Sequence, residues 1–239
     1  MRIKSLALLL IALFTAQVVV AQNSVALKPY TARFHVKYRG MSGGDIEFTL
    51  KSEGNGHYVF SSHLLPNFLG SLFTSDQAED TSHLLFDGSS IKPLLFSSED
   101  GSNNTSKDIR YEFDWTSNSV KGRYRDQDFR LQLPVGTQDR LSIQLAASLA
   151  LQAGREPGQL IMLERNEPQE YSILREDTVK VKTSAGDYDT MILKSERKGS
   201  DRSTRYWYAA QLGYLPVRAE RSTRGKVDIV MELKSFQFL

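Results

Sequence analysis

The sequence holds no cysteine among its 239 residues. That absence removes disulfide frameworks, thiol nucleophiles, thiolate metal sites and iron–sulfur clusters together. An excess of one charge is missing too. Two of the 30 Lys+Arg, Arg2 and Lys4, fall in an N-terminal leader, and the remainder balance the 28 Asp+Glu. A neutral chain has no electrostatic footprint for nucleic acid or an anionic membrane. Neither a P-loop nor G-x-G-x-x-G occurs. The histidines are His35, His57, His63 and His83, with no H-E-x-x-H or H-x-H among them. A zinc site needs three or four converging ligands, so neither metal nor cofactor is expected. No fixed-period repeat or linker-like stretch divides the chain.

Residues 1–21 read as a secretory signal peptide. Arg2 and Lys4 form the basic region, Leu6 to Phe14 the apolar region, and Val19-Val20-Ala21 ends at a small residue suited to cleavage. A membrane anchor is the competing reading, but Thr15 and Gln17 shorten the run below the roughly 20 apolar residues a spanning helix needs. The expectation is an exported, periplasmic protein with one β-rich domain over residues 22–239. No membrane span is expected after leader removal.

Beyond the leader, period two dominates the chain. Tyr30, Ala32, Phe34, Val36 and Tyr38 alternate with Thr31, Arg33, His35, Lys37 and Arg39, the pattern of a half-buried strand. Ile46, Phe48 and Leu50 continue it after Gly40-Met41-Ser42-Gly43-Gly44, which reads as a hairpin turn. Further strands are expected at Tyr58–Ser62, Ile109–Trp115 and Phe129–Leu133, then at 159–165, 170–175, 178–183, 189–197, 203–208, 216–223 and 227–238. Such alternation favours antiparallel sheet with one wet face. Gln138–Ala153 breaks the period: Leu141, Leu145 and Leu149 recur at helical spacing, Thr137 or Asp139 suits a cap, and Gly154 a stop. The predicted fold is therefore mainly β, a large curved antiparallel sheet or open barrel with one main helix packed against it.

Chemistry is harder to find. The run Gly40-Met41-Ser42-Gly43-Gly44 formally matches G-x-S-x-G, but a nucleophile elbow needs a strand-to-helix turn, and strands lie on both sides here. Glycine in a hairpin has a simpler cause, positive φ. Acid pairs such as Glu99-Asp100 and Glu176-Asp177 sit in turn-like stretches and select no acid/base pair. No catalytic residue is assigned. Two apolar features remain. Leu64 to Phe73 fits neither period; it reads as a core-lining connection or as a lid over an apolar cavity, with Phe68, Leu69, Leu72 and Phe73 as the lid residues and Gly70 as its hinge. Thr204 to Arg218 reads as an aromatic strand, a turn at Gly213 and a return strand, offering Trp207 and Tyr214 as further ligand residues.

That second segment, with Ala185-Gly186-Asp187-Tyr188-Asp189-Thr190, Gly44-Asp45-Ile46-Glu47-Phe48 and Asp139-Arg140-Leu141-Ser142, resembles the bacterial exported family called domain of unknown function 3108. The resemblance spans nearly the whole chain after the leader. It implies an exported β-rich fold and supplies no catalytic residues. The strand with Trp207 and the Gly213 to Pro216 turn are also similar, over that hairpin alone, to the periplasmic lipoprotein-localisation carriers, whose half-barrel wraps helices around an apolar cavity. The expected function is a non-catalytic binding or carrier module for a hydrophobic ligand or envelope partner. A structural envelope protein without ligand and an unrecognised hydrolase are the alternatives.

Overall fold

The computed structural model describes residues 25–239 apart from Leu69, Phe73, Thr74, Asn103 and the side chain of Leu72. The expected leader, residues 1–21, lies outside the described residues. Fourteen strands form one antiparallel sheet. In chain order they are β1 (Tyr30–Tyr38), β2 (Met41–Gly54), β3 (His57–Pro66), β4 (Glu79–Phe86), β5 (Ile91–Glu99), β6 (Ile109–Asp114), β7 (Ser119–Tyr124) and β8 (Gln127–Gln132). One α-helix, α1 (Ser142–Gln152), precedes β9 (Gln159–Glu164), β10 (Glu167–Thr183), β11 (Gly186–Glu196), β12 (Arg202–Ala209), β13 (Leu215–Thr223) and β14 (Lys226–Phe238). Two meanders, β1 to β8 and β9 to β14, meet where β1 pairs with β14. The sheet is not closed into a barrel.

The hairpins follow from their turn residues. Arg39-Gly40, Asn55-Gly56, Arg125-Asp126 and Arg224-Gly225 each have positive φ at both positions. Such two-residue turns match the right-handed twist of the flanking strands. The first turn is thus shorter than Gly40 to Gly44: strand β2 resumes at Met41, and the register slips between Val36 and Lys37. A second slip, between Arg175 and Asp177, lies within β10. The expected strands 170–175 and 178–183 are one continuous strand carrying that irregularity. Strands β4, β5 and β7 are additions to the sequence reading.

A twisted open sheet of more than about ten strands must curl, split or flatten. This one curls, and its concave face holds the core. Tyr30, Phe34, Phe48 and Phe60 form a chain of rings with centroids 5.7–6.1 Å apart. Each such pair adds about 0.5–1.5 kcal/mol beyond area burial. The curl brings distant strands together: the Tyr111 hydroxyl on β6 donates to the Arg165 carbonyl, beyond β9, at 2.6 Å. The chain between β8 and β9 bridges the gap. Gln138 exchanges backbone hydrogen bonds with Ile161 and Leu163, both 2.8 Å, while its amide donates to the Ile91 carbonyl of β5 at 3.0 Å.

Helix α1 is held inside the curl by its cap and its stripe. Asp139 is fully buried. Its carboxylate accepts from the Leu141 and Ser142 amides, both 2.8 Å, and from the Ser82 hydroxyl of β4 at 2.6 Å. The Asp139 amide donates to Ser142 Oγ at 2.9 Å, completing a reciprocal cap. Burial pushes the Asp139 carboxyl up from its ordinary range, against those donors. At the other end Gly154 has φ +68, and the Gly154 and Arg155 amides donate back to Leu151 and Ala150, a Schellman ending. Leu141, Leu145 and Leu149 are buried in the main core, while Ala147 and Leu151 pack with Ile173, Leu193 and Tyr208. On the outer face Asp45 of β2 accepts from Lys234 of β14 at 2.8 Å and Arg33 of β1 at 2.9 Å, and meets His35 at 3.1 Å. Burial alone would raise its pKa, but Lys234, His35 and Arg33 hold it below its ordinary value. This cluster pins the seam between the two meanders.

Candidate functional site

Helix α1 does not fill the curl. Between it and strands β9 to β14, β1 and β2 lies a cavity of about 490 Å3, within the range of about 300–1,000 Å3 usual for small-molecule sites. Its deeper walls are apolar: Tyr30 and Phe34 of β1, Phe48 of β2, Leu145 of α1, Leu215 of β13 and Met231 of β14. The opposite end is charged, lined by Arg140 before α1, Glu164 of β9, Arg197 after β11, Arg202 of β12 and Arg221 of β13. Strand direction explains the segregation. Apart from Arg140, the charged residues stand at or next to strand ends, on the sheet margin that carries the β9–β10, β11–β12 and β13–β14 turns.

The charged end is ordered by hydrogen bonds. Arg140 binds Asp80 of β4 and donates to Ser98 Oγ of β5 at 2.7 Å, its guanidinium lying 5.6 Å from the Phe96 ring centroid. Arg221 grips Asp228 with two bonds of 3.1 Å. Arg197 lies 3.6 Å from Glu164, whose carboxylate also accepts from the Tyr171 hydroxyl at 3.1 Å. Burial, then the neighbouring Glu164, pushes the Tyr171 phenol up to about 12. Burial likewise raises the Tyr206 phenol. Both tyrosines line the cavity as neutral hydroxyls at physiological pH.

Of the residues singled out from the sequence, Phe68, Gly70, Trp207 and Tyr214 are described. Phe68 is 82% exposed, on a loop that Asn67 docks against β2: its amide donates to the Ser42 carbonyl and to Ser42 Oγ, both at 3.0 Å. Gly70 packs closely on β2, where a Cβ would collide with the Gly43 carbonyl oxygen, and its amide donates to Asn67 Oδ1 at 2.9 Å. Leu69, Phe73 and the Leu72 side chain fall outside the described residues. Trp207 is buried, with the Arg218 guanidinium 5.5 Å from its ring centroid. The Tyr214 carbonyl accepts from Ser148 Oγ at 2.8 Å and so latches α1 to the β12–β13 connection. Phe68, Trp207 and Tyr214 do not line the cavity. Ser42 lies in β2, past a hairpin turn. Among the described residues no three His, Asp or Glu side chains converge as metal ligands.

The sequence assigns no site role to the cavity arginines, though a signal for Arg197 and Arg202 exists. Arg197 follows Leu193 and Ser195 on the inward phase of β11, and Arg202 precedes Thr204 and Tyr206 on that of β12. Charged residues in phase with a buried stripe mark the mouth of a site rather than a solvated face.

Three solved structures are similar to this chain to different degrees. A β-barrel-like protein of domain of unknown function DUF1849 from Brucella abortus superposes with a TM-score of 0.58 at 10% identity, covering 90% of this chain and 99% of its own. A Bacteroides fragilis protein described as exported, with a YmcC-like fold, gives a TM-score of 0.40 at 12% identity over 88% of this chain and 96% of its own. A protein described as a lipoprotein from Parabacteroides distasonis gives 0.36 at 10% identity, over 88% and 96%. The first of these establishes likeness of fold. No curated protein matches the sequence. The model of the family described as "Protein of unknown function (DUF3108)" matches residues 33–234, and the chain belongs to that family.

Proposed function

We propose that this protein is an exported, single-domain binding or carrier module of the bacterial envelope, which holds a hydrophobic ligand in the cavity between α1 and the curled sheet. The observation that carries the reading is the apolar inner wall of that cavity, built from Phe34, Phe48, Leu145 and Met231. These side chains are largely covered by their neighbours, and only their faces on the cavity remain uncovered. Leaving apolar wall open to a cavity forgoes about 25 cal/mol for each Å2 not covered, an arrangement that suits a site more than a scaffold. The leader-like residues 1–21 support a periplasmic address, and no helix among the described residues is long and apolar enough to cross a membrane. Phe68 is assigned to the entrance: its loop adjoins the β1–β2 turn, on the same sheet margin as the charged end of the cavity.

The test is native mass spectrometry of the protein purified from the periplasm, paired with titration of a neutral naphthylamine probe. The expected results are a co-purifying small molecule released by solvent and saturable probe fluorescence. A protein that carries nothing and takes up no probe refutes the reading and leaves the envelope scaffold.

A further inference from the structure

We infer that the ligand is an amphiphile with a single anionic head group, bound tail-inward, and that Arg202 is the residue that meets the head group. The inference rests on the binding reading above and adds the chemistry of the ligand. The observation behind it is the charge balance at the mouth. Of the four arginines lining the cavity, three are already matched: Arg140 by Asp80, Arg197 by Glu164 and Arg221 by Asp228. Arg202 has no carboxylate partner among the described residues. The acid next to it in sequence, Asp201, is bound instead by Arg224 at 3.0 Å. One uncompensated positive charge therefore faces a cavity whose far end is aromatic and aliphatic.

Around Arg202 stand neutral hydroxyl groups that serve an anion equally well: Ser195, Ser200, Ser203 and Thr204 also line the cavity. Hydroxyls donate to carboxylate or phosphate oxygens, and a guanidinium matches either in a bidentate fork. The loose 3.6 Å contact of Arg197 with Glu164 leaves a second guanidinium able to turn toward the same head group. A cationic ligand would meet three arginine-led pairs and one bare arginine. An uncharged one would leave Arg202 with water. Charge complementarity thus selects a tail with one negative charge, the chemistry shared by a fatty carboxylate and a lysophospholipid phosphodiester.

The experiment displaces the bound naphthylamine probe from full-length exported protein with four amphiphiles of equal tail length: a fatty carboxylate, a lysophosphatidylglycerol, a fatty alcohol and a fatty amine. Both anions or either one should compete about tenfold better than the alcohol, the scale of one charge-assisted hydrogen bond. Whichever anion is stronger names the head group. In Arg202→Gln the anion advantage, read as the ratio of anion to alcohol competition, should fall to near unity, and in wild type it should shrink in high salt as exposed charges are screened. Because Arg202 is exposed and unpaired, its loss is not expected to disturb folding; Arg197→Gln, expected to lower the advantage part-way, provides a second variant. Equal competition by alcohol and anion, or an Arg202→Gln protein with the advantage intact, overturns the inference while the cavity reading stands. Failure of wild type to take up the neutral probe overturns both.

Discussion

Replacing Asp139 tests how the helix is held inside the sheet. The carboxylate is fully buried and serves three donors: two amides of the first helical turn and the Ser82 hydroxyl of β4. In Asp139→Ala the helix loses its cap, at about 0.5–2 kcal/mol. The Ser82 hydroxyl is left buried without its acceptor, at about 1–3 kcal/mol. Relief of a buried charge offsets part of this, so a net loss of about 2–4 kcal/mol is expected. Asp139→Asn should be far milder. Its amide oxygen still accepts from both backbone N–H groups, and its NH2 can donate to Ser82 Oγ. The two variants also separate by pH. Burial raises the folded-state carboxyl pKa, so the folded protein binds its proton more tightly than the unfolded chain does. Wild-type stability relative to Asp139→Asn should then be greatest below the ordinary carboxylate pKa, fall as pH rises through it, and level off above the raised folded value. Urea midpoints of the three proteins from pH 3.5 to 7 measure both effects. An alanine variant as stable as wild type, or a wild type that gains on Asn as pH rises, would refute the reasoning.

Three other outcomes are expected. Trp115 stacks on Phe113 at 5.8 Å and donates from Nε1 to the Pro93 carbonyl at 2.7 Å, so it continues the buried face of β6; Trp115→Ala should cost about 3 kcal/mol and lower Tm by roughly 5–10 °C, measured by calorimetry. Phe68→Ser should change unfolding free energy by less than about 0.5 kcal/mol, whereas Phe60→Ala, at a site only 1% exposed, should cost about 3–5 kcal/mol; matching losses in chemical denaturation would contradict the exposure of Phe68. N-terminal sequencing of the periplasmic fraction should begin at or near Gln22, and an intact Met1 held in the inner membrane would favour an anchor.

Much of the fold is legible residue by residue because alternation and helical spacing are local. The inward set Tyr30, Ala32 and Phe34, the stripe Leu141, Leu145 and Leu149, a cap at Thr137 or Asp139 and the stop at Gly154 need only neighbours within a few positions, and the structure uses Asp139. Strands β4 and β5 escaped for an equally local reason: the register slips between His83 and Leu84, and Pro93 sits within β5 where a strand pattern argues against it. The same kind of slip, between Arg175 and Asp177, made one strand look like two.

The candidate site obeys different physics. Nothing near Tyr30 in the chain announces that it pairs with Phe238, or that Asp45 is to meet Lys234, 189 positions away. The sequence by itself determined which residues face inward along strands such as β1, and that a helix lies between Gln138 and Gly154, although α1 starts only at Ser142. The tertiary structure decided that β1 joins β14, that fourteen twisted strands curl, and that the curl gathers Arg140, Arg197, Arg202 and Arg221 around one opening. Periodicity is written in the covalent spacing of side chains along one strand. A cavity is a property of strands that touch only after the sheet has assembled, when accumulated twist and long-range register set which inward faces confront each other and how much space the helix leaves between them.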